Sequence, residues 1–201
     1  MTNHFSTRLA APHQDPLVAP RRGLLKGAGL LSAGALLMLA GQPGRAQGMG
    51  GSEADVNILN VALTLEHEAI NAYQLGAGSG LLQKPVLDVA VRFQSDHKSH
   101  RDALVATIRK LGGRPVEEMK LEQYAKQLNA ASLKSQTDVL DLAARLELGA
   151  TNAYLGVIPS FKDAQLAKVA GRLAADETMH WTLLNNALGR PLPGGALSFG
   201  A

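Results

Sequence analysis

Three glutamates and three histidines recur in the sequence at a spacing that suits a metal site. The segments LEHEAINAY and LELGATNAY, which begin at Leu65 and Leu146, each carry one candidate Glu. The segments RFQSDHKSH and RLAADETMH, which begin at Arg92 and Arg172, each carry two candidate ligands three residues apart. Carboxylate combined with imidazole favours iron, manganese or zinc over calcium. The predicted metal ligands are Glu66, His97, His100, Glu147, Glu177 and His180.

The two pairs of segments indicate that a helix–helix unit is duplicated within the chain. Apolar residues recur at three- and four-residue intervals from Val56 to Tyr73, and Glu66 fills a gap in that series, as Glu147 does in the second copy. Residues three apart lie on one side of a helix, so each second helix directs two ligands inward. His67 and Glu68 lie off the apolar stripe and are unpaired in the second copy, so we expect them to face solvent.

Glycine and proline positions predict four helices and no strand. The helices run from about 55 to 74, 85 to 111, 137 to 157 and 160 to 188, with glycines 76, 78 and 80 ending the first and a capping-box-like Ser160-Phe-Lys-Asp163 opening the fourth. Short loops make each pair antiparallel, whereas Arg114–Gln136 is long enough to return along the bundle and can include a short helix near 121–128. The predicted fold is an all-α antiparallel four-helix bundle with one long crossover between helices 2 and 3.

In such a bundle the middles of the helices come level, so the six candidate ligands should meet in one layer of the core. Three buried carboxylates would repel one another and take up protons unless a cation lay among them. A metal ion resolves that conflict. The alternative is that these residues are surface groups or a polar core without metal.

The combination of one Glu, then acid-x-x-His, present twice, resembles the ferritin-like superfamily over about Asp55–Gly189. The resemblance implies a site for two metal ions, which we expect to be iron, with manganese possible and zinc a weaker candidate. The chain departs from the family at His97, where the family usually has a bridging Glu. Two ions bridged by Glu177, a single ion, and asymmetric binding all remain open.

Four further residues repeat beside the predicted ligands. Asp96 and Asp176 each precede an inner position, and in the family an acid there commonly hydrogen-bonds a ligand histidine; the alternative is an exposed helix acid. Tyr73 and Tyr154 lie seven residues after the two first-helix glutamates. They are expected to hydrogen-bond ligands or to act as redox phenols, or else to be core aromatics with a polar tip.

The first 46 residues predict an export signal that is not part of the fold. Arg21-Arg22-Gly23-Leu24-Leu25-Lys26 has a twin-arginine signature, and the apolar stretch that follows is shorter than the roughly 20 residues that a membrane span needs. Gly44-Arg45-Ala46 suits cleavage; an uncleaved anchor is the alternative. We expect a twin-arginine signal at 1–46, a linker at 47–54, a ferritin-like domain at 55–190 and a flexible tail at 191–201. The twin-arginine export machinery would be a partner, and the location periplasmic or extracellular.

Charge and cysteine content limit the possible functions. The net charge is +3, but the leader holds five of the 20 Lys and Arg and one of the 17 Asp and Glu, which leaves 15 basic and 16 acidic residues, a net of −1. The basicity therefore belongs to the leader, and we expect no nucleic-acid partner. The absence of cysteine excludes disulfides and Cys-ligated iron or zinc.

Three functions are compatible with the sequence. The first is a redox enzyme whose di-iron or di-manganese centre reacts with oxygen or peroxide. The second is a metal-binding or storage protein without turnover, and the third is a metal-free structural bundle. The expected partners are metal ions, and a homo-oligomer with further copies of the chain stays open.

Overall fold

The computed structural model describes residues 51–199, which form helices, turns and loops with no strand in that range. Five α-helices follow in the order α1 Gly51–Gly78, α2 Lys84–Lys110, α3 Leu121–Gln127, α4 Gln136–Val157 and α5 Ala164–Ala187. Two 3₁₀ turns, Ala130–Ser132 and Ile158–Ser160, flank α4. The predicted export signal and its cleavage site lie outside the described residues. None of the helices between residues 51 and 199 is long and apolar enough to cross a membrane.

The four long helices form the predicted antiparallel bundle. Helix α1 packs against α2, α4 packs against α5, and α1 also packs against α4. The long crossover joins α2 to α4 and includes α3, so the predicted all-α fold with a short helix near 121–128 is confirmed.

Helix α1 is longer than predicted at its C-terminal end because two glycines do not stop it. Gly76 and Gly78 are helical, and the helix ends only before Gly80, which has a φ of +72°. A Cβ atom on Gly76 would lie 2.9 Å from Val139 Cγ1 of α4. The absent side chain at Gly76 therefore lets α1 and α4 approach closely, and the expectation that this glycine ends the helix was wrong.

Helix α5 begins later than predicted. Ser160 closes a 3₁₀ turn, and Asp163 is the N-cap, whose side chain accepts a hydrogen bond from the backbone N–H of Gln165 at 2.7 Å. Asp163 is therefore the capping residue itself, not the third residue of a helix capped by Ser160. Helix α4 begins with Ser135, which accepts from the N–H of Asp138 at 3.2 Å.

Two apolar clusters fill the bundle core at different levels. One contains Leu63 and Leu104 with residues of α5 such as Leu173, and the other contains Phe93 and Leu184 with residues of α1 and α4. The predicted ligands fall between these levels along every long helix. The core is consequently apolar above and below a single polar layer.

The crossover covers the outer side of α1 and α4. Tyr124 and Leu128 pack against Leu142 and Leu146, and the Asn71 side chain donates a hydrogen bond to Glu118 Oε1 at 2.6 Å. This cover buries every residue of α1 between Leu65 and Tyr73.

His67 and Glu68 lie in the covered stretch of α1. Both are buried, so the expectation that they face solvent was wrong. Helical periodicity distinguishes the two sides of a helix, but it does not indicate that a distant segment covers the outer one.

Candidate metal centre

The structure brings all six predicted ligands into the polar layer of the core. Each of the four long helices contributes at least one of them near its middle. All six are 8% exposed or less, and four are about 1% exposed or fully buried. Metal binding by these residues stays a prediction. The six residues are Glu66, His97, His100, Glu147, Glu177 and His180.

The first half of the site consists of Glu66, His97, His100 and Glu177, whose ligating atoms lie within 4.8 Å of one another. His97 Nδ1 lies 2.8 Å from Glu66 Oε2 and 3.8 Å from Glu177 Oε1. His100 Nδ1 lies 3.6 Å from Glu66 Oε2 and 3.2 Å from Glu177 Oε1. Two nitrogens and two carboxylate oxygens therefore surround one point.

The second half consists of His97, Glu147, Glu177 and His180, which meet the same distance limit. His97 Nε2 lies 3.1 Å from Glu147 Oε1. His180 Nδ1 lies 3.5 Å from Glu147 Oε2 and 3.2 Å from Glu177 Oε2. The second half has the same donor types as the first.

His97 and Glu177 are the two residues that belong to both halves. His97 directs Nδ1 to the first half and Nε2 to the second. Glu177 directs Oε1 to the first half and Oε2 to the second. The residue that departs from the family pattern thus occupies the central position that a bridging carboxylate usually has.

Three candidate ligands have a buried polar atom without a properly aligned hydrogen bond among the residues described. These atoms are His100 Nδ1, Glu147 Oε2 and Glu177 Oε1. His100 Nδ1 and Glu177 Oε1 lie 3.2 Å apart but are not oriented for a hydrogen bond to each other. A buried polar atom without a partner lowers the free energy of unfolding by about 1–3 kcal/mol. Three such atoms in one cluster indicate that a further group binds between them.

The distances within each half fit a metal ion. With metal–ligand bonds of about 2.1 Å, neighbouring ligand atoms on a tetrahedral or octahedral ion lie about 3.0–3.4 Å apart. The contacts in the second half are 3.1–3.5 Å, and those in the first half are 2.8–3.8 Å. The buried His/Glu cluster is therefore compatible with a metal site, with nitrogen and oxygen donors of the kind that iron, manganese and zinc accept.

The electrostatics of the layer couple the three imidazoles to the three carboxylates. Burial lowers the histidine pKa values, but the neighbouring glutamates outweigh it and raise the pKa of His100 to about 10 and that of His180 to about 9, with His97 raised well above its usual value. Burial raises the pKa of Glu66, but His100 and His97 lower it more, to about 2. Protonated imidazoles can thus act as counter-charges when no metal is bound.

The other two carboxylates of the layer differ from each other. Burial raises the pKa of Glu147, but the charge of His97 and the hydrogen bonds of the histidines outweigh it, so that pKa lies well below its usual value. Burial raises the pKa of Glu177, and the histidines do not fully offset this effect. Of the three glutamates in the layer, Glu177 is thus the one whose pKa burial raises above its usual value.

The two repeated tyrosines bind the carboxylates of the opposite copy. The Tyr73 hydroxyl on α1 donates to Glu147 Oε1 on α4 at 2.5 Å. The Tyr154 hydroxyl on α4 donates in turn to Glu66 Oε1 on α1. Both tyrosines are buried, so they are core aromatics that also orient candidate ligands.

Each of the two repeated aspartates also contacts a histidine of the other copy. Asp176 Oδ2 on α5 lies 3.2 Å from His100 Nε2 on α2, and Asp96 Oδ2 on α2 lies 3.5 Å from His180 Nε2 on α5. Each aspartate is partly exposed and faces the outer nitrogen of a histidine whose Nδ1 faces the cluster; Asp176 hydrogen-bonds His100, whereas Asp96 and His180 are in ion-pair contact. This arrangement selects the orientation that a ligand histidine requires.

Two residues near the layer were not singled out as site neighbours by sequence reasoning. The Phe93 ring stacks on His180 with centroids 4.0 Å apart and fills one side of the second half. Glu68 lines a small cavity that also touches His97 and Glu147. Phe93 belongs to the apolar stripe, so its spacing gave no sign of this contact. The acidic character of Glu68 was the one available signal.

The comparisons with known proteins agree with the helical fold. A solved structure, a conserved hypothetical protein, rv2844, from Mycobacterium tuberculosis, is similar with a TM-score of 0.58 and 21% identity over 74% of this chain and 99% of that chain; at this identity the likeness concerns the fold. No curated protein gave a significant match. The family model of the ferritin-like domain matches residues 54–190, which is more than half of the chain. The chain therefore belongs to the ferritin-like domain family.

Proposed function

We propose that this protein is an exported ferritin-like protein whose core holds two iron or manganese ions and uses them in redox chemistry with oxygen or peroxide. The observation that carries the proposal is the division of the polar layer into two halves. Each half presents two imidazole nitrogens and two carboxylate oxygens, and His97 and Glu177 contribute one atom to each. Two adjacent ions suit this division better than one.

The residues divide by role in this proposal. Glu66 and His100 would hold one ion, Glu147 and His180 the other, and Glu177 would be shared. His97 would bind one ion through one ring nitrogen as a neutral imidazole, and would bind both only as an imidazolate that has released its remaining N–H proton. When bound, such ions supply one-electron transfer to oxygen or peroxide. The burial of all six residues excludes bulk water from the layer.

The tyrosine and aspartate contacts support the same proposal. Tyr73 and Tyr154 fix the two unshared carboxylates, and Asp96 and Asp176 fix the two unshared histidines. Ligands that are oriented by such partners commonly bind metal 10–100-fold more tightly than ligands without them, as an order-of-magnitude estimate.

The export part of the proposal depends on the leader sequence. Arg21 and Arg22 stand directly before an apolar stretch, and the twin-arginine route carries proteins that have already folded. Changing both to Lys keeps the charge and should leave the protein in the cytoplasm with its leader uncleaved. Fractionation followed by N-terminal sequencing tests this. Export of the double variant at the normal level would contradict the twin-arginine assignment.

The metal-free structural bundle is the competing function that a specific observation favours. The raised pKa values of His97, His100 and His180 allow three imidazoliums to neutralise the glutamates without any metal. Binding of metal would have to displace those protons. The two functions therefore predict opposite results when metal is offered at neutral pH without oxygen: binding accompanied by release of protons, or no binding.

Metal analysis and turnover assays separate the three functions. The mature protein, purified after cytoplasmic loading, should contain about two Fe or Mn per chain. Glu147→Ala and Glu177→Ala should lose metal, whereas Glu122→Gln, an exposed residue of the crossover, should not. Consumption of oxygen or peroxide by the loaded protein distinguishes an enzyme from a storage protein. A folded protein without bound metal would favour the structural bundle.

A further inference from the structure

Glu68 is a buried carboxylate that the predicted ligand set does not use. It is 8% exposed, and it makes no hydrogen bond or ion pair with any of the side chains described from residue 53 to residue 199. It lies on α1 two residues after Glu66, and the equivalent position of the second copy is Gly149, which carries no side chain. Carboxylates are rarely buried without a partner, because desolvation of the charge is costly. A functional role for Glu68 would explain why this carboxylate is buried without a partner.

A cavity connects Glu68 with the polar layer. It lies between α1 and α4, has a volume of about 10 Å³, and has apolar walls that include Ala69 and Ala150. His97 and Glu147 line the same cavity, so Glu68 and two predicted ligands border one continuous space. That volume accommodates about one water molecule. An ion that has lost most of its water shell is of comparable size.

The buried layer requires such a route. Its six residues are 8% exposed or less, and the apolar clusters close the bundle on both sides along its axis. A metal ion can reach the layer only between helices. A negative group in a narrow apolar cavity beside the layer attracts a cation and replaces part of its hydration.

We propose that Glu68 is the access carboxylate of the site, which receives a divalent cation in the cavity between α1 and α4 and transfers it to His97 and Glu147. The inference rests on the proposed metal function, because it assigns a route to the same site. Glu68 acts during loading and is not a ligand of the loaded site. Loading rate and final metal content should therefore respond differently to its replacement.

The experiment measures uptake of cobalt(II) alone by the metal-free mature protein, followed by stopped-flow absorbance, with final content measured by elemental analysis. Glu68→Gln removes the charge and keeps the shape. Its loading rate should fall about tenfold or more, while the number of ions bound at equilibrium stays at the wild-type value. Glu122→Gln, an exposed acid on α3, is the matched control and should load at the wild-type rate.

A second variant tests the route without changing the charge. Ala69→Val narrows the cavity and should also slow loading, with circular dichroism used to show that the bundle remains folded. Wild-type loading rates in Glu68→Gln would overturn the access role, and a lower final cobalt content would make Glu68 a ligand instead. If the wild-type protein itself bound no cobalt, the proposed metal function would fail, and the access role with it.

Discussion

Tyr73 on α1 donates a hydrogen bond to Glu147 on α4 at 2.5 Å, and Tyr154 on α4 donates one to Glu66 on α1. We predict that Tyr73→Phe lowers the free energy of unfolding by about 1.5–3 kcal/mol, because Glu147 loses a hydrogen bond to a buried charge. Metal affinity should fall about 10–100-fold, because the carboxylate is less well oriented. Chemical denaturation and equilibrium metal titration measure the two effects.

The controls for Tyr73→Phe come from the other tyrosines. Tyr154→Phe should have similar effects, because it occupies the equivalent position in the second copy. Tyr124→Phe removes a hydroxyl that accepts only from the backbone N–H of Met119, at 3.3 Å, away from the cluster. Loss of affinity in Tyr124→Phe as large as in Tyr73→Phe would indicate general destabilisation and count against the orienting role.

His97→Glu should strengthen metal binding and weaken the metal-free fold. His97 lies between Glu66 and Glu147, so a glutamate there adds a fourth carboxylate and removes a counter-charge from between two others. We expect the metal-free variant to melt at a lower temperature than wild type and to gain more thermal stability when iron(II) or manganese(II) is added. Differential scanning calorimetry with and without metal measures both quantities. A His97→Glu variant whose melting temperature does not respond to metal would contradict the assignment of position 97 to the shared centre.

The metal-free protein should be most stable between about pH 4.5 and 6.5. The folded-state pKa values of His100 and His180 are raised from 6.5 to about 10 and about 9 by the surrounding glutamates, against the opposing effect of burial. Their contribution to stability is therefore complete below pH 6.5 and is lost as the pH rises through those values. The pKa of Glu66 is lowered from 4.5 to about 2, so its contribution is present above pH 4.5 and is lost as the pH falls toward 2.

Thermal unfolding in the presence of a chelator, from about pH 3 to pH 10, tests this dependence. Bound metal should extend the stable range to higher pH, because it replaces the protons as the counter-charge. If the melting temperature of the protein in chelator did not fall between pH 7 and 10, the imidazoles would not carry the predicted charge.

Glu68→Gln should stabilise the metal-free protein at pH 8 and leave its stability unchanged at pH 4. Burial raises the pKa of Glu68 to about 7 from 4.5. A carboxyl group whose pKa is raised on folding does not lower the free energy of unfolding when the pH is below its unfolded-state pKa. It lowers that free energy fully when the pH is above its folded-state pKa, so replacement by a neutral amide stabilises the protein only at higher pH. The gain at pH 8 should be about 3 kcal/mol, because a shift of about 2.5 pKa units corresponds to about 1.4 kcal/mol per unit, and urea denaturation at the two pH values measures it. Equal effects at both values would rule out a charged, desolvated carboxylate.

The bundle and its ligand layer were accessible from the sequence because they depend on local spacing. Glu66 and Glu147 interrupt the apolar stripes of their helices, and His97 and His100 lie three residues apart on the apolar stripe of α2. Helical periodicity alone therefore directs all four side chains toward the core. The antiparallel pairing then brings them level. That pairing was inferred from the short loops within each helix pair.

The remaining features depend on contacts between distant segments. The crossover that buries His67 and Glu68 has no periodicity in common with α1. Tyr73 and Tyr154 each hydrogen-bond a glutamate of the other copy because the two copies are related by the pseudo-symmetry of the bundle. The spacing within one helix does not reveal these contacts. Gly76 was predicted to end α1 because glycine often ends helices, whereas its lack of a side chain serves helix packing here.

The metal content of the mature protein, measured by elemental analysis after loading in the cell, tests the central claim most directly. We predict about two iron or manganese ions per folded chain, and loss of both in Glu177→Ala, because that carboxylate belongs to both halves of the site. A folded wild-type chain that contains no metal, and binds none when iron(II) or manganese(II) is supplied at neutral pH without oxygen, would contradict this prediction.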